Sequence, residues 1–152
     1  MIRISLGIVL LLTMLNADKS VNAKAVFDCT SGDMRYVAGR IKLIGATAGD
    51  IAKLGQTPKF VLTVHSGCVP LMVSHPEDYM EEGGAELVSK AQLMLQDAMG
   101  KYDIEVRVCE IAMEAWGIGR EELLTWAKTT PNSFVDTIAL QNEGYALMLF
   151  GK

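Results

Sequence analysis

Two stretches, Lys59-Phe-Val-Leu-Thr-Val64 and Ile104-Glu-Val-Arg-Val108, are short, apolar and rich in β-branched residues. Each lies between segments whose apolar positions recur every three or four residues, as on one face of a helix. This alternation constrains the fold more than any other feature. A strand that reaches the next strand through a helix pairs with it in parallel, and a nearly continuous apolar strand needs cover on both faces. The expectation is a single three-layer α/β/α domain around a mainly parallel sheet.

The elements follow from that pattern. Lys24–Cys29 is a first strand, and Thr30-Ser-Gly-Asp33 starts a helix whose stripe Val37, Ile41, Ile44, Ala48, Ile51 and Leu54 ends at Gly55. The second strand, 59–64, runs into the loop His65-Ser-Gly-Cys68, and the Pro- and Gly-bearing stretch 69–84 reads as mostly irregular with room for one helical turn. A helix over 86–102 precedes the third strand, and Cys109–Trp116 forms the next helix, closed by Gly117. A short helix over 120–127 and a brief strand over 128–131 come next. Asn132 or Ser133 caps a last helix with Phe134, Val135, Ile138 and Ala139 inward, before a closing strand over 145–150.

The N-terminus is different material. Arg3 gives a positive start, Ile4–Leu15 is almost unbroken apolar sequence, and Val21-Asn-Ala23 offers small residues at a cleavage position. An apolar run of about 12 residues is short against the roughly 20 that span a bilayer. Residues 1–23 therefore read as a cleaved secretory signal and 24–152 as the mature domain, periplasmic and without a stable membrane anchor. The formal charge of −4, with no basic cluster, excludes a nucleic-acid-binding design.

Export gives the three cysteines, Cys29, Cys68 and Cys109, their meaning, because an odd number leaves at least one thiol outside an intrachain disulfide. All three fall at or just beyond strand ends, where open parallel sheets collect their ligands and reactive groups. Cys109 opens a helix, which favours a thiolate, while the adjacent Glu110 opposes one. Functional thiol, buried filler and disulfide partner all remain open for it. Cys29 and Cys68 are the better disulfide pair if their strands are neighbours; otherwise they are thiols that could assist Cys109. His65, His75, Cys68 and Cys109 could supply metal ligands, though their spacing matches no compact motif. The nucleophile elbow of the α/β hydrolases is absent.

Val108-Cys109, Gly117-Ile118, Pro131-Asn-Ser133 and above all Leu140-Gln-Asn-Glu-Gly-Tyr145 together resemble the DsrE/DsrF-like family of small sulfur-relay proteins. Val64-His65-Ser-Gly67 is similar to that family's strand and His-Gly loop, and Phe134 stands where many relatives carry glycine. The resemblance implies a five-stranded sheet with the first three strands adjacent, and assembly as a homotrimer or hexamer. It also implies sulfur carried as a persulfide, a role that maps by position onto Cys109.

The leading expectation is thus a periplasmic sulfur carrier, an accessory protein rather than a turnover enzyme. Cys109 is the sulfur acceptor, with His65 and Cys68 as rim neighbours and Cys68 as a possible resolving thiol. Its partners would be sulfur donors and acceptors, proteins or small sulfur compounds, and a covalently held sulfur needs no cofactor. The alternatives are a non-enzymatic oligomeric binding or structural module with a Cys29–Cys68 disulfide, and a metal-binding periplasmic protein using His65, Cys68 and Cys109.

Overall fold

The structure, a computed structural model, describes residues 22–150. Five strands, β1 (Asn22–Cys29), β2 (Thr57–Val64), β3 (Asp103–Cys109), β4 (Lys128–Thr130) and β5 (Ala146–Phe150), form one sheet in the order β4-β3-β2-β1-β5. Every pairing is parallel, so the mainly parallel sheet expected from the strand–helix alternation is wholly so. Helices α1 (Met34–Lys53), α2 (Glu82–Met99), α3 (Glu110–Trp116) and α4 (Ser133–Asn142) connect the strands.

The expected signal sequence falls mainly on residues 1–21, outside the described residues. Asn22 and Ala23, placed in that segment by the sequence reading, are strand residues in register with Thr57 and Pro58. Among the described residues no helix is long and apolar enough to cross a membrane.

Alternation along the strands divides the interior in two. Phe27, Phe60, Leu62, Val106 and Val108 face α1 and α2 in the larger core, which also takes Ile41, Ile44 and Leu95 from the helices. Burying each such side chain contributes roughly 1.5–3 kcal/mol. The opposite face carries only a small cluster of Val26, Val61, Leu140 and Tyr145.

That thin cover explains a correction at α4. Phe134, Val135 and Ile138, expected inward, are 60% or more exposed, and Ala139 is exposed too. Ser133 and Leu140 point inward instead, and Asp136 reaches Arg107 at 3.2 Å. The strand face beneath the helix is polar, with Arg107 2.5 Å and Lys128 2.7 Å from Glu105. A helix that must meet those charges turns its polar side to the sheet.

Two other segments are built from 3₁₀ turns. The stretch after β2 coils into 3₁₀ turns at Ser66–Met72 and Pro76–Asp78. The expected helix over 120–127 shrinks to the turn Arg120–Glu122. Leu123 is needed in the core and in an antiparallel bridge with Val73, and Leu124 N–H donates to Met72 O at 2.9 Å. The extended backbone these contacts require is incompatible with a continuing helix.

Candidate functional site

The C-terminal ends of β1, β2 and β3 share one rim, but their cysteines do not share one face. Cys29 belongs to the larger core with Phe27, and there it bonds Cys68, with Cα atoms 5.8 Å apart. Cys109 meets α4 on the other face: Ser133 N–H donates to its Sγ at 3.5 Å. Cys109 is the one free cysteine. Cys68 is therefore not the resolving thiol offered as an expectation, since its sulfur is bonded to Cys29 and wholly buried.

The loop after β2 is tightly specified. His65 N–H donates to Cys29 O at 3.0 Å and Gly67 N–H to Thr30 O at 3.2 Å, so the two strand ends are stitched beside the disulfide. A Cβ on Gly67 would stand 2.7 Å from Gly32 N and 2.9 Å from Gly32 Cα, contacts no side chain tolerates. Ser66, at φ 53°, is the only non-glycine in the left-handed region among the described residues. Its carbonyl accepts the Trp116 indole N–H at 2.8 Å, tying α3 to the loop.

His65 is held by a buried polar relay. Its Nε2 donates to Asp28 Oδ1 at 2.9 Å, and Thr63 Oγ1 donates to the same oxygen at 2.8 Å. Nδ1 lies 3.3 Å from Ser66 Oγ. Burial pushes the Asp28 carboxyl up, but hydrogen bonds from His65 and Thr63 and the charge interaction with His65 outweigh it, leaving the group below its usual range. Both imidazole nitrogens are thus engaged away from Cys109. His65 lines the same cavity as Cys109 with both ring nitrogens directed to other partners.

Cys109 is 4% exposed and lines a cavity of about 320 Å³. One side of the cavity is apolar, made by Ile111, Ala112 and Ala115 of α3 and by Phe134 of α4. The other is polar, made by His65, Ser66, Asn132 and Ser133. The Phe134 ring meets His65 edge-on, with centroids 5.4 Å apart.

The thiol's electrostatics come from two helices. Burial, the largest single effect, raises its pKa. Hydrogen bonds from the backbone N–H groups of Ser133 and Ala112, the Ser133 hydroxyl and the Ile111 N–H together exceed it, so the thiol titrates below its ordinary range. The sequence reading anticipated the α3 contribution and missed that of α4, whose first residue is 24 positions downstream. The feared repulsion by Glu110 is met by Arg120, which pairs with it.

The metal-ligand set is not assembled. Among the described residues no three His, Cys, Asp or Glu side chains cluster in a way that could hold a metal. Cys68 is in the disulfide, and His75 lies on the surface with Glu77 at 3.2 Å.

An uncharacterised protein of Aquifex aeolicus (strain VF5) is 32% identical over 127 residues, a match that covers 84% of this chain and 56% of that protein. The chain thus spans little more than half the length of the curated relative it matches. The solved structure of MTH1491 from Methanobacterium thermoautotrophicum, described as a protein of unknown function, superposes with a TM-score of 0.64 at 16% identity. It covers 85% of this chain and 98% of its own, a likeness of fold. The profile of the DsrE/DsrF-like family matches residues 24–150, nearly the whole described domain. With its five-stranded parallel sheet in place, this chain belongs to the DsrE/DsrF-like family.

Proposed function

We propose that this protein is a sulfur carrier, which accepts sulfane sulfur on Cys109 as a persulfide and hands it to an acceptor. The observation that carries the reading is the placement of one free thiol on a cavity wall, with the Ser133 N–H of α4 3.5 Å from its sulfur and the N–H groups that open α3 also lowering its pKa. In the loading step Sγ attacks a donor's sulfane sulfur; the Sγ–S bond forms, and the donor's remaining group leaves with the electron pair. The same N–H groups lower the free energy of the attacking thiolate. Sulfur is held covalently, so the carrier role calls for no cofactor.

The setting proposed is the periplasm. The reading of residues 1–23 as an export signal and the Cys29–Cys68 disulfide both support an oxidising compartment. Self-association is proposed through the outward face of α4 with the sheet edge at β5, where Phe134, Val135, Ile138, Leu147 and Leu149 are exposed. The same disulfide and apolar face are what favour the second reading, an oligomeric structural module in which Cys109 stays inert.

Intact mass separates the two readings. After treatment with a sulfane-sulfur donor the carrier gains about 32 Da per sulfur bound, and Cys109→Ser gains none. A wild-type protein that remains unmodified, with Cys109 unreactive to alkylation in the folded state, would exclude the carrier role.

A further inference from the structure

We infer that the cavity beside Cys109 is built for an uncharged, apolar sulfane-sulfur donor of the organic trisulfide class, and discriminates against anionic donors. The inference rests on the carrier reading and narrows it to a substrate class. Sites for anions supply a guanidinium, an ammonium or several free N–H groups. None of the residues lining this cavity is lysine or arginine. The Ser133 N–H is directed at the cysteine sulfur itself, 3.5 Å away.

Charge around the cavity points the same way. Behind His65 stands Asp28, held in its ionised form. Arg120 is the cation of the neighbouring turn, and it is paired with Glu110. An anion entering would lose its hydration and meet no lysine or arginine side chain. Apolar arms, by contrast, meet Ile111, Ala115 and the Phe134 ring. A volume of about 320 Å³ is about twice that of the ~150 Å³ cavity that holds benzene in a protein interior. It has room for a chain of three sulfurs with two short alkyl groups.

The chemistry closes without an outside oxidant or reductant. Cys109 thiolate attacks the central sulfur of R–S–S–S–R; the Sγ–S bond forms, one outer S–S bond breaks, and R–S⁻ leaves with the electron pair. That thiolate then attacks the remaining outer sulfur. The products are the disulfide R–S–S–R and the Cys109 persulfide anion.

The test compares donors of matched sulfur chemistry on the full chain: diethyl trisulfide and bis(2-carboxyethyl) trisulfide. Sulfur addition at Cys109 is followed by intact mass, and each rate is divided by that for an uncharged reference thiol, N-acetylcysteine methyl ester. The expected normalised preference for the diethyl compound is about tenfold or more. Ala115→Lys, at an exposed position of the cavity wall, should bring the ratio toward unity by accelerating the carboxylated donor. Phe134→Ala should slow the diethyl compound alone. Equal normalised rates, or faster loading by the dianion, overturn the substrate class while leaving the carrier role intact. No addition to Cys109 from either donor overturns both.

Discussion

Reducing the Cys29–Cys68 bond should cost this domain about a third or more of a typical folding free energy. The bond joins residues 39 positions apart. Closing a loop of that length lowers the unfolded chain's entropy by about 13 cal/mol/K, or about 4 kcal/mol at 25 °C. For a domain of about 130 residues the unfolding entropy is about 270 cal/mol/K, so the melting temperature should fall by about 15 °C. The assay is urea unfolding of the oxidised chain against the chain reduced while unfolded and refolded with reductant present. Both sulfurs are fully buried, so a reductant added to the native protein would report opening rate instead. Alkylation under denaturing conditions should label Cys109 alone in the oxidised sample and all three cysteines in the reduced one. The reasoning is refuted if the two samples differ by less than about 1 kcal/mol, or if the untreated protein yields three free thiols.

Further tests address the site and the two faces of the sheet. Because Cys109 titrates below its ordinary range, its contribution to stability is present above the unfolded thiol's pKa and lost as pH falls through the folded value. Ser133→Ala deletes the hydroxyl donor but keeps the N–H, so the pH midpoint of iodoacetamide labelling should move up; an unchanged midpoint would remove that hydrogen bond from the account. Leu140→Ala, in the small cluster with Val26, Val61 and Tyr145, should destabilise by about 3 kcal/mol in urea unfolding; a loss below about 1 kcal/mol would mean α4 is not anchored there. For the proposed self-association, light scattering should find the wild type as an oligomer and the Ile138→Glu, Leu149→Glu double variant as a monomer; a mass unaffected by both changes would overturn that interface.

Most of the fold was legible because strand and helix periods are local. The runs 59–64 and 104–108 have the composition of buried parallel strands, and Asp33 does cap α1, accepting the Tyr36 N–H at 3.0 Å. The thiol's position at the end of β3 was equally local. What sequence could not supply was which sheet face each cysteine takes, since that depends on strand register and on where each crossover lands. Hence the relay Asp28–His65–Thr63, assembled from β1 and β2, went unseen, as did the Ser133 contact from α4. The inversion of α4 had a further cause: its apolar residues were read against an assumed apolar partner, whereas Glu105 and Arg107 make that strand face polar.

In the proposed carrier Cys109, and no other residue, holds transferable sulfur. Cold cyanolysis of the sulfur-loaded protein tests this directly, because cyanide takes the outer sulfur of a persulfide as thiocyanate and returns the thiolate. The account predicts thiocyanate equimolar with chain from the wild type and none from Cys109→Ser. Thiocyanate released equally by both proteins, or by neither, would contradict it.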